Sequence, residues 1–183
     1  MNFVWRRFLA AALAFAGALA GMGATPALAA PGSAKADTEI VTRLSLIKDE
    51  DLFFGKIIRG ATAGTVIIAP SGARTSTGGV TLAPSTFQPA RFAGYGRTNQ
   101  SIQISVSANS ITLNRVGGGA TMTVDSWIIG STPTAQLSTV PLVFTIGSAT
   151  GIFNFPLGAT LRVGANQASG TYTGTFSVTV NYL

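Results

Sequence analysis

Residues 170–183, GTYTGTFSVTVNYL, alternate strictly between two kinds of side chain. The even-numbered positions from 170 to 182 are Gly, Tyr, Gly, Phe, Val, Val and Tyr, and the odd-numbered positions between them are Thr, Thr, Thr, Ser, Thr and Asn. A period of two residues is that of a β-strand with one buried and one solvated face. The stretch therefore predicts a long strand whose aromatic and valine face packs on a core.

This predicted strand is the last one in the sequence, and we expect no partner strand after it. An apolar-faced edge strand is prone to pair with other chains, and a strand from another chain gains both backbone hydrogen bonds and an apolar groove there. We therefore predict that the even-numbered face lines a strand-acceptor groove. Its residues are Gly170, Tyr172, Gly174, Phe176, Val178, Val180 and Tyr182.

The candidate donor strand lies near the other end of the chain. Residues 39–47, EIVTRLSLI, alternate as well, and one face carries Ile40, Thr42, Leu44 and Leu46. We predict that residues 30–47 of a neighbouring copy fill the groove. Head-to-tail donation does not close on itself and so produces a fibre. The alternative is that residues 39–47 pair with residues 170–182 of the same chain and complete a self-contained monomer.

The first 29 residues have the composition of an export signal. Arg6 and Arg7 precede an apolar segment at residues 8–20, and Ala27 and Ala29 form a small-residue cleavage box. The apolar segment is too short for a good membrane anchor. We expect cleavage after Ala29 and a mature chain without a transmembrane anchor, which reaches the periplasm and then the cell surface or an extracellular fibre.

Three regions follow from this interpretation. Residues 1–29 are the signal peptide, residues 30–38 are a flexible N-terminal extension rich in small and polar residues, and residues 39–183 are one β-domain. Removal of the signal leaves 12 − 2 = 10 basic residues against 6 acidic ones. The basic residues are scattered singly rather than clustered, which argues against a nucleic-acid partner.

The chain contains neither cysteine nor histidine. Without histidine it lacks the commonest general base and metal ligand, and without cysteine it depends on its core and sheet for stability. The sequence Pro70-Ser71-Gly72 lacks the pattern of a nucleophile elbow. We expect no catalytic residue, no cofactor and no metal, and therefore no enzyme.

Several other positions leave alternatives open. Asp49, Glu50 and Asp51 form a solvated bend or part of a calcium site. Trp127 is a core residue or a carbohydrate platform. An isopeptide crosslink between a lysine and an asparagine is a further alternative, and its candidates are Lys48, Lys56, Asn154 and Asn181.

Short alternating segments separated by Gly and Pro fill the rest of the chain, and no segment has a capped helical pattern. This spacing predicts an all-β sandwich or barrel. A turn is expected at residues 76–79, and a glycine loop at residues 117–119. The expected strands are residues 39–47, 52–58 with a kink near Gly55, 65–69, 80–82, 90–95, 101–107, 111–113, 120–129, 142–146, 151–155, 159–163 and 170–182.

Five motifs resemble a family of small secreted bacterial β-proteins that is catalogued as a domain of unknown function and related to pilin-like and spore-coat-like subunits. They are LFFGKII at residues 52–58, GTVII at 64–68, MTV at 122–124, LRV at 161–163 and GTYTGTFSVTVNY at 170–182. The resemblance covers about residues 40–182.

The ending also resembles chaperone–usher pilins, which close with a penultimate Tyr and a Gly fourteen places from the end, as Tyr182 and Gly170 do here. That resemblance implies an immunoglobulin-like sandwich that lacks its last strand. A periplasmic chaperone and then a neighbouring subunit would supply the strand, and an outer-membrane usher would be a further partner. Many pilins carry a disulfide, which this chain cannot form.

Two other functions fit parts of the pattern. A self-complete secreted binding domain would need no strand from a neighbour. A small outer-membrane β-barrel also shows alternation of period two and an aromatic residue near its end. Several of the predicted strands are shorter than the roughly 9–11 residues that a membrane strand needs. The fibre subunit remains the prediction.

Overall fold

The computed structural model describes residues 45–183, and every helix or strand element within that range is a β-strand. The predicted signal peptide with Ala27 and Ala29, the extension, and the donor residues Ile40, Thr42 and Leu44 lie outside the described residues. No helix in residues 45–183 is long and apolar enough to cross a membrane. The strands are β1 Ser45–Glu50, β2 Ile57–Ile58, β3 Gly64–Ile68, β4 Arg74–Gly78, β5 Thr81–Leu82, β6 Ala90–Tyr95, β7 Ser101–Val106, β8 Ser110–Arg115, β9 Thr121–Ile129, β10 Ala135–Gln136, β11 Leu142–Thr145, β12 Ile152–Val163, β13 Tyr172–Thr173 and β14 Val178–Tyr182.

The larger sheet is built around β12. Its main path is β1-β6-β12-β9-β8-β13, and β3, β4 and β10 join it at the sides. The first half of β12 pairs with β6, and its second half pairs with β3. Strand β9 pairs along the other side of β12, so Leu157 lies between Ala90 of β6 and Ile129 of β9. All these pairings are antiparallel.

A second sheet has three strands in the order β11-β7-β14. The alternating residues of β7 bury Ile102, Ile104 and Val106 in the same hydrophobic cluster as the inward residues of the larger sheet. Two sheets that share one core form a sandwich. The prediction of an all-β, sandwich-like fold is therefore confirmed.

A β-bulge in β9 keeps its apolar residues on one face. Opposite β12, Asp125 pairs with Thr160 and Ile128 pairs with Gly158, so β9 has one residue more than its partner between these pairs. Ser126 takes up the extra residue with a φ of 54°. Val124 and Trp127 are consequently both buried although they are three positions apart. The interpretation of Trp127 as a core residue is correct, and its Nε1 donates to the Ala108 carbonyl at 3.1 Å.

Residues 76–79 and residues 151–163 are among the stretches that differ from their predicted elements. Residues 76–79 were expected to form a turn, but most of them belong to β4, which forms a hairpin with β3. Thr77 stands opposite Thr65, and their hydroxyl oxygens lie 2.7 Å apart. The Ser-Thr-Gly-Gly sequence suggested a turn, whereas the alternating threonines of β4 had the stronger effect because they pair across the hairpin.

Residues 151–155 and 159–163 were expected to form two strands, but both belong to the single strand β12. Pro156 has no N–H for the ladder, yet its carbonyl accepts a hydrogen bond from Gly130 N at 2.8 Å. A Cβ at Gly158 would collide with the Ile68 carbonyl. Proline and glycine therefore sit inside the strand because of close packing, not because the strand ends there.

Candidate strand-acceptor groove

A groove of about 940 Å³ is open to the surface of the domain. One wall is the segment 52–59 and the other is the segment 167–176. The floor consists of inward-facing apolar residues of β8, β9 and β12, namely Ile111, Leu113, Met122, Val124, Leu161 and Val163. Small-molecule pockets reach about 1,000 Å³. The volume is thus large for a pocket, and two extended backbone segments frame it.

The segment 52–59, called the first wall below, pairs on one side only. Phe53 exchanges backbone hydrogen bonds with Gln88 at 2.9 and 3.0 Å, and the Lys56 carbonyl accepts from Ala83 N at 3.1 Å. Between them Gly55 has a φ of 76°, which gives the kink expected there. Because backbone groups alternate in direction along a strand, those of Ile57 point away from Ala83 and towards the groove.

The segment 167–176, called the second wall below, contains β13, the last strand on the path of the larger sheet. Val116 N donates to the Thr171 carbonyl at 2.8 Å, and Tyr172 stands opposite Arg115 of β8. The backbone of Thr171 therefore faces β8. The N–H and C=O of Tyr172 point to the opposite, open side.

Strand β14 continues this open edge in the smaller sheet. Ser107 N donates to the Ser177 carbonyl at 2.9 Å, and Leu183 N donates to the Ser101 carbonyl at 3.1 Å. These two bonds show that odd-numbered residues face β7. The backbone groups of Val178, Val180 and Tyr182 face outwards, and they have no hydrogen-bond partner within residues 45–183.

The side chains of β14 alternate as predicted. The even-numbered residues 178, 180 and 182 are half-buried, and the odd-numbered residues 179, 181 and 183 are exposed. None of the three inward residues reaches full burial. The same residues thus direct their side chains at the core and their backbone groups at an open edge, which is the arrangement that a further strand would complete.

Two aromatic residues fix the last segment to the core. The ring of Phe176 lies 4.6 Å from that of Trp127 and 6.3 Å from that of Phe92. The Tyr182 hydroxyl donates to the Tyr95 carbonyl at 3.1 Å. These contacts hold the segment in place although it has a strand partner on only one side.

One end of the groove is cationic. Arg59 Nη1, on the first wall, donates to the carbonyls of Asn166 at 3.0 Å and Gln167 at 2.6 Å, next to the second wall. Arg115 Nε donates to the Ser169 carbonyl at 2.7 Å. Lys56 is exposed and forms no ion pair with any residue from 45 to 183. We call the region around Arg59 and Arg115 the Arg59 end.

The acidic residues lie elsewhere. Lys48 Nζ lies 2.6 Å from Asp51, and Arg91 Nε lies 2.9 Å from Glu50. Two of the three acids therefore form ion pairs, and Asp49 and Glu50 belong to strand β1 and not to the predicted bend. Within the described part of the chain no group of three or more potential ligands could hold a metal ion.

The fourth described acid belongs to the outer face of the larger sheet. Asp125 accepts from Arg162 Nε at 3.0 Å and from Arg162 Nη2 at 3.1 Å. The hydrogen bond and the negative charge of Asp125 raise the pKa of Arg162 above its ordinary value. This pair joins two neighbouring strands and does not contact the groove.

The structure divides the predicted acceptor residues into two sets. Gly170, Tyr172, Gly174 and Phe176 line the groove, whereas Val178, Val180 and Tyr182 lie in β14. The division arises because residues 172–173 pair with the larger sheet and residues 178–182 pair with the smaller one. The predicted single strand therefore crosses from one sheet to the other.

Of the predicted donor residues, only Leu46 lies in the described range. It stands opposite Gly94 in the pair β1–β6 and packs against the core of its own domain. Residues 45–47 pair with β6 and not with residues 170–182. The donor role of Ile40, Thr42 and Leu44 stays a prediction, whereas Leu46 is already part of its own domain.

Sequence reasoning predicted a kinked extended segment at residues 52–58, but it did not place this segment or the floor residues at the groove. The floor carries a signal, since alternation buries Met122 and Val124 in β9 and Leu161 and Val163 in β12. That alternation shows which residues face inwards. It does not show that a part of the inward face lacks a covering strand.

The family described as "Domain of unknown function (DUF4402)" matches residues 44–182, which is well over half of the chain. No curated protein and no solved structure matches the chain. The match begins one residue before β1 and ends at the last residue of β14, so it covers both sheets and both walls of the groove. The chain therefore belongs to the DUF4402 family of domains of unknown function.

Proposed function

We propose that the protein is an exported structural subunit of a surface fibre, comparable to a pilus or fimbria, that assembles by donor-strand exchange. One observation supports this most directly. The groove combines an apolar floor with strand edges whose backbone groups have no partner in residues 45–183. A donated strand from a neighbouring copy would fill it.

The physical gain from a donated strand has two parts. Its backbone would hydrogen-bond with the open edge at Tyr172 and β14, which supplies affinity without sequence preference. Its alternate apolar side chains would cover the floor. Burial of apolar surface stabilises by roughly 25 cal/mol per Å², so two buried side chains of the size of Ile or Leu contribute several kcal/mol.

Donation from one copy to the next gives a head-to-tail polymer of the chain with itself. A subunit with an open groove is prone to aggregate before assembly. We therefore propose a periplasmic chaperone that covers the groove and an outer-membrane usher as further partners. The proposed route leads through the inner membrane and the periplasm to the cell surface.

The first test is a gel of surface material from the native host, loaded unboiled and boiled and probed for this chain. The proposal predicts a ladder that collapses to one band on boiling, because stable subunits are then held together by non-covalent strand exchange. A single monomer band in both lanes would refute it and favour the self-complete secreted binding domain. A ladder that survives boiling would indicate a covalent crosslink.

Two matched variants connect the ladder to the groove. Leu113→Asp places a charge on the groove floor, where a donated strand would bury it without a partner. Val143→Asp places the same charge on β11, at the other edge of the smaller sheet, where the side chain is 58 % exposed. We expect loss of the ladder with Leu113→Asp and an unchanged ladder with Val143→Asp.

Circular dichroism of both variants checks that each is folded. If Leu113→Asp does not fold, Val178→Asp provides the second variant, because Val178 is half-buried on the open edge. Normal fibres from a folded variant with either of these charges would exclude the groove as the assembly site.

A further inference from the structure

The charges around the groove differ between its two ends. Arg59 and Arg115 lie at the Arg59 end, Lys56 lies near the middle of the first wall, and the residues that line the groove include no Asp or Glu. At the opposite end the first wall begins at Leu52, directly after the acidic residues 49–51, two of which form ion pairs with Lys48 and Arg91. Asp49 forms no ion pair within residues 45–183.

Residues 37–44 have the complementary order of charges. After the basic residue Lys35, Asp37 and Glu39 come first, and Arg43 follows four residues after Glu39. Four residues of extended chain span about 13 Å. In an extended segment the three charged, odd-numbered residues of 37–44 share one face, while Ile40, Thr42 and Leu44 share the other. The apolar face can therefore enter a groove while the charged face stays at its rim.

We propose that the donated strand is residues 37–44 of a second copy, and that rim charges fix its direction: Asp37 and Glu39 lie at the Arg59 end, and Arg43 lies at the Leu52 end. This inference rests on the proposed function. The donated strand then runs parallel to β13 and antiparallel to the first wall, with Ile40, Thr42 and Leu44 over the apolar floor.

The exit point of the N-terminal segment favours a second copy over the same chain. Ser45 pairs with Tyr95, and the Tyr95 carbonyl accepts from the Tyr182 hydroxyl. The segment therefore leaves its own domain near the Tyr182 end of the last strand. The cationic end lies beside Gly170, at the other end of that strand.

The chain from Glu39 to Ser45 is shorter than the chain from Gly170 to Tyr182. Glu39 lies six residues before Ser45, and six residues span at most about 21 Å. Gly170 lies twelve residues before Tyr182, which is roughly 40 Å in extended chain. The reach of these six residues is about half the contour length of residues 170–182, which favours a neighbouring copy as the donor of Glu39.

Paired cysteine substitutions test direction and partner together, because the natural chain has no cysteine to interfere. The full chain is prepared with Val41→Cys and Thr173→Cys, or with Val41→Cys and Thr179→Cys. Both threonines are exposed on the outer side of the last segment. Mild oxidation followed by a boiled, non-reducing gel shows which pair crosslinks.

We expect a crosslinked ladder from the 41/173 pair and none from the 41/179 pair. A ladder from 41/179 alone would overturn the proposed direction, and a crosslinked monomer from 41/173 would overturn the second copy as partner. If neither variant crosslinks although both still form a ladder on an unboiled gel, the proposed register of residues 37–44 would be overturned. If the unmodified chain forms no unboiled ladder, the proposed function itself fails.

Charge reversal tests the role of the rim. Lys56→Glu is expected to slow or weaken assembly several-fold, as is usual for exposed ion pairs. Glu39→Lys is expected to have the same effect, and the double variant is expected to regain most of the loss. Single variants that assemble at the rate of the unmodified chain would overturn the electrostatic part of the inference while the fibre itself remains.

Discussion

Strand β12 and the last segment of the chain both have the sequence pattern of a strand with an apolar face. They differ in how many neighbouring strands pair with them. β12 has strand neighbours on both sides, and its residues 157–161 are buried. Strands β13 and β14 have one neighbour each, and their inward side chains are only half-buried. The same alternation therefore produces a complete core at β12 and an incomplete one at the end of the chain.

The difference shows what a sequence pattern determines. Alternation selects the face that turns inwards, because a strand side chain changes face at every residue. It does not select how many strands lie alongside. The number of neighbouring strands depends on topology. In this fold the groove is the place where part of the inward apolar face is not covered by a strand.

The largest expected effect comes from a cavity in the complete region. Leu157→Ala removes a fully buried side chain between β6 and β9 and should lower the free energy of unfolding by about 4 kcal/mol. Val180→Ala, at a half-buried position in β14, should cost roughly 1 kcal/mol or less. Urea denaturation of both variants measures the difference. Equal losses would show that the two regions are packed equally well.

A smaller effect is expected for individual amides of β14. In monomeric protein the amides of Val178, Val180 and Tyr182 should exchange with solvent at least about tenfold faster than those of Thr179 and Asn181, because only the odd-numbered amides face β7. Hydrogen exchange followed by NMR measures this. Assembly should remove the alternation where a donated strand pairs. Uniform protection in the monomer would mean that the edge is already covered.

The smallest effect is expected at the surface ion pair of the larger sheet. Asp125→Asn removes the charge that holds Arg162, whose side chain is 53 % exposed. We expect the denaturation midpoint to change far less than with Leu157→Ala, because exposed ion pairs contribute little to stability. The pKa of Arg162 should return towards its ordinary value. A loss comparable to that of Leu157→Ala would show that charge stabilises the β9–β12 pairing.

Much of the fold could be predicted from the sequence. Clean alternation identified β7 and the inward residues of the last segment, and the glycines at 117–119 identified the β8–β9 hairpin. The prediction of two separate strands at residues 151–163 failed because residues that are typical of turns lie inside one strand. Gly158 and Pro156 are typical of turns, but here they allow close approach of β3 and a bond from Gly130 inside a strand.

Only part of the candidate site could be predicted from the sequence. The second wall follows from alternation in residues 170–176, whereas the strand predicted at residues 52–58 contains only a two-residue strand and an isolated bridge at Phe53. Its kink at Gly55 breaks any regular period. The crossing between sheets near Gly174 was also invisible, because a strand that changes sheets keeps the same alternation of side chains.

The central position of β12 has a consequence for the time course of folding. Ile68 pairs with Ala159, 91 residues later in the chain. The pairing of β6 with β12 also forms only after β12 has been made. The hairpins β3–β4 and β8–β9 are local and can close early, but the larger sheet joins only when residues 152–163 arrive. Distant pairings must overcome a large loop-closure entropy before they contribute, so such topologies fold slowly. A nascent chain would leave Val66 and Ile68 without their β12 partners until residues 159–161 have been made.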